Sequence, residues 1–276
     1  MKIAIVGHGF VGKAVDYGFN NPELEKFIVD PRGGMDITEL DEHYIHATFV
    51  CVPTPMGNDG KIDSSIVENT VNYLKANVDG LIVIKSTVTP DIIDKLTSGP
   101  LGHRVVYNPE FLTEKAANED FVNPSLHVFG GEKETTIKIQ ELYENYSSCK
   151  PCPVYHMTAK EASFVKYGIN SYLASKVLWF NQFYDIVEKN GGNYNTVINA
   201  MTADHRVGKS HTAVPGYDGK RGFGGACFPK DTSAFLAFDN TFTVLREIIA
   251  VNNAIRSAYE KDDREKEQNV TYIVNN

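Results

Sequence analysis

The first thirty residues narrow the choice of fold at once. An apolar run at 2–6, KIAIV, leads into Gly7-His8-Gly9-Phe10-Val11-Gly12, and a helical pattern follows to about Phe19. A GxGxxG string alone is weak evidence. Here it follows a strand, opens a helix, and is answered by Asp30 at the end of a second strand, FIVD at 27–30. That combination predicts a dinucleotide-binding βαβ unit. Gly7 makes the tight turn, Gly9 lets the backbone approach a pyrophosphate, and Gly12 lets helix and strand pack closely, while the helix N-terminus stabilises phosphate charge. Phe10 and Val11 belong to the same cofactor turn. A carboxylate at Asp30 accepts hydrogen bonds from both ribose hydroxyls and repels a 2′-phosphate, which favours NAD over NADP. Arg32, two residues on, argues the other way.

The alternation then continues as an α/β doubly wound sheet requires. Strand-like runs occupy 47–52, 81–85, 104–107, 126–130 and 153–156, with amphipathic segments such as 65–76 and 132–146 between them. This predicts a Rossmann domain over 1–157. Ligands in such sheets bind beyond the carboxyl ends of the strands. The residues standing there are Thr54 in VPTP, Ser86 and Thr87 in KSTVTP, and Glu110 and Glu114 in NPEFLTE. Each singly is an ordinary turn or cap residue. If 110–114 is helical, the two glutamates share a face, either as solvated charges or with one as a general base.

After residue 157 the period changes. Thr158-Ala159-Lys160-Glu161 reads as a capping box, and an apolar pattern at helical spacing runs to about Lys189, where Asn190-Gly191-Gly192 stops it. Such a helix is roughly 45 Å long, a length that suits a bridge between domains or subunits. Lys166 and Asn170 lie one turn apart on it, as a solvated stripe or as part of a site. A short helix at 196–202 and the string Asp204-His205-Arg206-Val207-Gly208 follow, within an all-helical domain predicted over 158–260.

That domain carries RGFGGACFPKDT at 221–232. With Pro229 at the first helical position and Asp231 in the first turn, Cys227 sits beside a helix N-terminus, where positive partial charge favours a thiolate. The competing reading is a structural cysteine in a glycine-rich turn, with Asp231 as a cap. From Asp231 the pattern predicts one helical run to about Ala258. The charged KDDREKEQ at 261–268 reads as a solvated end, and 261–276 as a tail.

Length and composition set the class. A chain of 276 residues exceeds the usual single core and predicts two domains, or one large domain with an attached helical layer. A net charge of -8 without a basic cluster argues against sequence-independent nucleic-acid binding. No apolar run approaches the ~18 residues of a membrane span, and the N-terminus enters a strand directly, so a cytoplasmic protein with no membrane partner is expected. The four cysteines suit a reducing compartment. Cys149 and Cys152 form a CxxC without a second pair, so no metal site is predicted.

In order along the chain, GHGFVG, VPTP, KSTVTP, NPEFLTE, FVKYGINSYLASK, DHRVG and GFGGACFPKD resemble the nucleotide-sugar dehydrogenases, the UDP-glucose/GDP-mannose dehydrogenase family, and most closely the UDP-glucose branch. The resemblance covers residues 1 to about 256. It implies a two-step, NAD-dependent oxidation of the C6 alcohol of a nucleotide sugar, most closely UDP-glucose, to the uronic acid. By similarity Cys227 is the nucleophile, forming first a thiohemiacetal and then a thioester. Lys166 matches the lysine that stabilises developing oxyanions, and Asn170 its hydrogen-bonding neighbour. Asp231 and Thr87 match the pair that positions water, Glu114 the general base, and Glu110 the carboxylate that helps hold the site. Thr54 and Thr87 fall in the cofactor site. Glu110, Phe111, Leu112, Lys166, Asn170, Arg206, Phe223, Gly224 and Gly225 fall at the substrate, Arg206 reaching it from a dimer partner. The long helix resembles the family's homodimerisation element.

Three departures qualify the resemblance. Family members usually continue into a second Rossmann-like domain that holds the nucleotide, for which this chain has no sequence. Three expectations follow: two domains and a partner subunit bind the substrate, affinity for UDP is weak, or the chain is a fragment or minimal form. Lys220-Arg221 replaces an uncharged stretch, with two cations able to compensate for lost phosphate contacts. Ser163 stands where glutamate is common. Two other functions stay open: an NAD-binding protein that lost turnover with the missing domain, and a β-hydroxyacid or 6-phosphogluconate-type dehydrogenase. The latter shares the helix Lys and Asn but has no use for Cys227.

Overall fold

The computed structural model describes residues 1–274. The chain divides into an N-terminal unit, Met1–Thr54 with Asp63–Lys166, and a second unit, Pro55–Ile62 with the chain from Tyr167 onward.

In the N-terminal unit the chain runs β1 (Lys2–Val6), α1 (Phe10–Gly18), β2 (Glu25–Val29), β3 (Ala47–Val50), α2 (Ser65–Asn77), β4 (Leu81–Ile84), α3 (Pro90–Thr97), β5 (Val105–Tyr107), α4 (Ala117–Val122), β6 (His127–Gly130), α5 (Lys133–Tyr146) and β7 (Val154–Met157). The sheet order is β2-β1-β3-β4-β5-β6-β7. Its first five strands are parallel, β6 runs antiparallel to β5, and β7 lies parallel to β6. This is the mixed α/β, Rossmann-like sheet that the strand spacing predicts.

Register explains how this sheet builds a site. Val6 lies opposite both Val29 and Val50, Val50 opposite Ile84, and Ile84 opposite Tyr107. Five strands therefore end level, and the residues that follow each of them share one edge. The central strands β1, β3, β4 and β5 are largely buried, mostly apolar runs, as in a sheet with helices on both faces. Between sheet and helices, Phe19 packs against Phe49 and Tyr143 with ring centroids 5.0 Å apart in each pair.

Helix α6 (Ala159–Lys189) has 31 residues and opens on the expected capping box. Thr158 N donates to Glu161 Oε2 at 2.8 Å, and Glu161 N to Thr158 Oγ1 at 3.2 Å. From Tyr167 on it counts with the second unit, which continues through α7 (Tyr194–Met201), α8 (Phe228–Phe238), α9 (Thr243–Arg256) and α10 (Asp263–Glu267). Ala174, Leu178 and Phe223 form one buried cluster there, and Phe180, Tyr194 and Ile198 another.

The structure corrects three local expectations. The run predicted from Asp231 to Ala258 is two helices, because Asp239 closes an Asx turn on Thr241, its Oδ1 accepting from N at 2.9 Å and Oγ1 at 2.6 Å. Helix α8 starts at Phe228, which puts Pro229 second and makes Cys227 the N-cap. The charged segment 261–268 is no solvated end: it contains α10, Glu265 is fully buried, and so is Val270 beyond it.

Candidate active site

The cofactor turn is built in the N-terminal unit as its glycines require. Gly7 has φ 89°, and a Cβ there would lie 2.7 Å from the Cys51 carbonyl oxygen. At Gly12 a Cβ would meet the Gly7 carbonyl oxygen at 1.9 Å, so the strand and α1 touch through that atom. Gly9 is different in kind. The nearest neighbour of a Cβ there is Arg32 Nη2 at 3.7 Å, so an anion approaching the N-terminus of α1 meets bare backbone at that position. Phe10 and Val11 form the first turn of the helix it would approach.

Asp30 lies just past β2 and is buried. Its Oδ2 accepts from His8 N at 2.6 Å and from Arg32 Nη2 at 3.2 Å; its Oδ1 accepts from Arg32 N at 2.9 Å and Nε at 3.1 Å. The Arg32 guanidinium, with the backbone donors and against the effect of burial, holds the Asp30 carboxyl well below the usual carboxylate range. The two residues that the sequence sets against each other thus form one pair. The Arg32 side chain is 72% exposed, so ribose hydroxyls compete with a solvent-facing fork rather than with the backbone bonds. Thr54, after β3, and Thr87, after β4, are buried on the same level edge. These residues fit NAD: an open glycine backbone at a helix N-terminus, and an ionised carboxylate one strand away.

Glu110 and Lys166 are brought together. Lys166 Nζ donates to the Glu110 carbonyl oxygen at 2.5 Å and to its Oε1 at 3.1 Å, with both side chains buried. Glu110 Oε2 accepts from Leu112 N at 2.7 Å, and Lys166 Nζ stands 5.4 Å from the centre of the Phe111 ring. Residues 108–114 are not helical, so Glu110 and Glu114 do not share a helix face. The glutamate turns back on its own loop instead, and Asp120 holds Thr113 N at 2.7 Å. Beneath this loop is a polar cluster that sequence reasoning missed. Lys85 Nζ donates to Asn108 Oδ1 at 2.8 Å, and Tyr143 Oη donates to the same oxygen at 2.7 Å. Burial lowers the Lys85 pKa to about 8. A lysine ending an otherwise apolar strand was the available signal.

The second unit holds the thiol. Cys227 caps α8, and its carbonyl oxygen accepts from Asp231 N at 2.8 Å. Asp231 is not a cap but a buried carboxylate, with Oδ2 accepting from Asn170 Nδ2 at 2.6 Å and Oδ1 from Lys230 Nζ at 2.6 Å. Asn170 and Asp231, 61 residues apart in the chain, are thus direct partners. The glycine loop before Cys227 is pinned by three side chains. Gly222 N donates to Asn181 Oδ1 at 2.9 Å, Phe223 N to Asn252 Oδ1 at 2.7 Å, and Gly225 N to Glu265 Oε1 at 3.0 Å. Lys220 and Arg221 brace the same loop: Lys220 Nζ donates to the Glu260 carbonyl at 2.5 Å, and Arg221 Nη2 to Asp185 Oδ2 at 2.7 Å. Arg206 is exposed and forks onto its own neighbour, with Nη2 at 2.6 Å from Asp204 Oδ2.

Cys51, Cys149, Cys152 and Cys227 form no disulfide. Burial raises the thiols of Cys149 and Cys152, which makes them poorer nucleophiles at neutral pH. Among the described residues, no group of three or more His, Cys, Asp or Glu is placed to hold a metal ion. No helix of the described residues is long and apolar enough to cross a membrane.

Comparison with known proteins bears on both units. Residues 34–147 match the NAD binding domain of the UDP-glucose/GDP-mannose dehydrogenase family, and residues 160–255 match its central domain. The chain is 36% identical to a UDP-glucose 6-dehydrogenase of Rickettsia felis, over 68% of this chain and 42% of that protein. It is 34% identical to one from Rhizobium meliloti, over 92% of this chain and 68% of the relative. A UDP-glucose dehydrogenase from the archaeon Pyrobaculum islandicum superposes with a TM-score of 0.78 at 26% identity, covering 92% of this chain and 68% of that one. The chain thus spans under half the length of the Rickettsia relative and about two thirds of the other two. Sequence and fold agree across both units, and the chain belongs to the UDP-glucose/GDP-mannose dehydrogenase family, with NAD as the cofactor of its N-terminal domain.

Proposed function

We propose that this chain oxidises the C6 alcohol of a nucleotide sugar, with UDP-glucose the leading candidate, to a uronic acid through a covalent intermediate on Cys227. The observation that carries the reading is the setting of the thiol. It caps α8, and one turn into that helix is a buried carboxylate, Asp231, bonded to Asn170 at 2.6 Å. A single alcohol-to-carbonyl oxidation needs no thiol, whereas oxidation of an aldehyde to an acid gains from one.

Residues 1–157 would carry the cofactor and 158–260 the thiol. Two NAD molecules, bound in turn, would each accept one hydride per sugar oxidised. Glu114 takes the proton released as the alcohol becomes an aldehyde, with Glu110 holding the loop. The Cys227 sulfur adds to the aldehyde carbon, and Lys166 with Asn170 stabilises negative charge on the former carbonyl oxygen. Loss of the second hydride leaves a thioester. Water held by Asp231 and Thr87 attacks it, releasing the acid and restoring the thiol. Phe111, Leu112, Arg206, Phe223, Gly224 and Gly225 would contact the sugar nucleotide.

A homodimer is part of the proposal. Tyr172, Trp179 and Ile186, each more than half exposed, recur every seven residues along α6, a row suited to a second copy. The reducing cytoplasm, with its NAD pool, is the compartment proposed.

Incubation with UDP-glucose and NAD, with NADH counted and the product identified, tests the reading. Two NADH per uronate support it. One NADH with a ketone product would transfer the chain to the β-hydroxyacid type. NAD binding by calorimetry without NADH from any UDP- or GDP-sugar would make it a cofactor-binding protein without turnover.

A further inference from the structure

The residues after α9 do not lead away from the glycine loop; they fold back onto it. Arg256, the last residue of α9, is 1% exposed. Its Nη1 donates to Asp218 Oδ2 at 2.7 Å and its Nη2 to Glu265 Oε1 at 2.6 Å. Glu265, on α10, is 0% exposed, and the same Oε1 also accepts from Tyr272 Oη at 2.7 Å and from Gly225 N at 3.0 Å. Its other oxygen accepts from Asp262 N at 3.0 Å, closing the capping box that starts α10. Both oxygens of this carboxylate are therefore engaged, and one of its bonds goes to the loop residue that precedes Cys227 by two positions. The fit is close: a Cβ on Gly224 would lie 2.0 Å from Arg256 Nη2 and 2.6 Å from Glu265 Oε1.

We propose that Glu265, oriented by Arg256 and Tyr272, is a positioning residue for the Gly222–Gly225 loop, so that the segment 259–272 sets the geometry of the sugar site and of Cys227. The proposal rests on the reading of that loop as the sugar site. Its physical basis is the distribution of the loop's clamps. Asn181 holds Gly222 from α6, and Asn252 holds Phe223 from α9 on both sides, since Asn252 Nδ2 also donates to the Phe223 carbonyl at 3.0 Å. Gly225, at φ 79° the residue closest to Cys227 in this set, is held by Glu265. A glycine in that conformation has wide freedom once released. Charge-assisted bonds from a buried carboxylate suit the task of holding it. Desolvating Glu265 beside Arg256 offers little stability in itself compared with an apolar pair. What the pair does provide is an acceptor at a defined point.

Glu265→Ala removes that acceptor. Glu265→Gln keeps an amide oxygen for the three donors that meet at Oε1, removes the charge, and sets an amide NH2 against the Asp262 N–H in place of the Oε2 bond. Alanine should raise the KM for UDP-glucose and lower kcat, together by about tenfold or more in kcat/KM, because ångström-scale misplacement of a reacting group costs that much or more. The KM for NAD should stay as in the wild type, and glutamine should restore most of the loss. Simple loss of folded protein would lower kcat per chain and leave both KM values unchanged. Cys227 alkylation by iodoacetamide, followed by mass spectrometry, provides a readout that needs no turnover; its rate should change several-fold in Glu265→Ala and little in Glu265→Gln. If wild type forms no uronate, the proposed function fails while alkylation still tests the clamp. If Glu265→Ala does not fold, Tyr272→Phe, which removes one donor to Oε1, should shift the alkylation rate in the same direction. Alkylation and KM values equal to wild type in the variants that fold would overturn the proposal.

Discussion

Removing the ammonium of Lys166 should destabilise the N-terminal unit far more than its loss from the surface would. Lys166 and Glu110 are 3% and 7% exposed at their side chains, and Nζ lies 3.1 Å from Oε1. In Lys166→Met the Glu110 carboxylate stays buried with the Leu112 N–H as its remaining bonded donor. Leaving one charge of a buried pair unpaired costs about 3–5 kcal/mol. At about 2–4 °C per kcal/mol for a domain of this size, the melting temperature should fall by roughly 6–20 °C. Glu110→Gln should also destabilise, because it strands the lysine. The double variant, with no charge left to strand, should lose less than the sum of the singles, giving a coupling energy of about 1–3 kcal/mol. Urea unfolding followed by circular dichroism measures all three corners. Single variants within about 0.5 kcal/mol of wild type, or an additive double, would show that the pair is not buried as described.

Other outcomes follow from the same geometry. Gly12→Ala forces a methyl against the Gly7 carbonyl oxygen at 1.9 Å, so α1 must move and NAD affinity should fall at least about tenfold, measurable by calorimetry; unchanged affinity would place the cofactor elsewhere. Cys227→Ser should abolish uronate formation and leave NAD affinity as it was, and normal uronate yield from that variant would exclude the thioester route. Burial lowers Lys85 to about 8 in the folded chain, against about 10.4 unfolded. The unfolded chain then binds more protons between those values, so stability should rise with pH from about 8 to 10.4, and Lys85→Met should lack that rise. A wild-type urea midpoint that falls relative to Lys85→Met from pH 7.5 to 9.5 would contradict the lysine's burial.

Much of this molecule is local in the chain, and that part is legible in the residues. The GHGFVG turn, Asp30 at the end of FIVD and the Thr158 capping box each depend on contacts within one βαβ unit or one helical turn. Their spacing therefore predicts them. Period and end signals also located α6, both of its ends included. The errors arose where a short polar contact outweighed a propensity. Asp239 closing on Thr241 split a helix predicted as one run.

Tertiary structure alone decided which polar groups meet. Asp231 could be read as a helix cap until Asn170, 61 residues earlier, was seen to hold it. Arg32 read as a sign of NADP until its guanidinium proved to be bonded to Asp30. KDDREKEQ has the composition of a solvated end, yet Glu265 within it is fully buried, because Arg256, Tyr272 and Gly225 converge on one of its oxygens. Composition reports the cost of burying a charge, and only the folded chain brings together the donors that offset it.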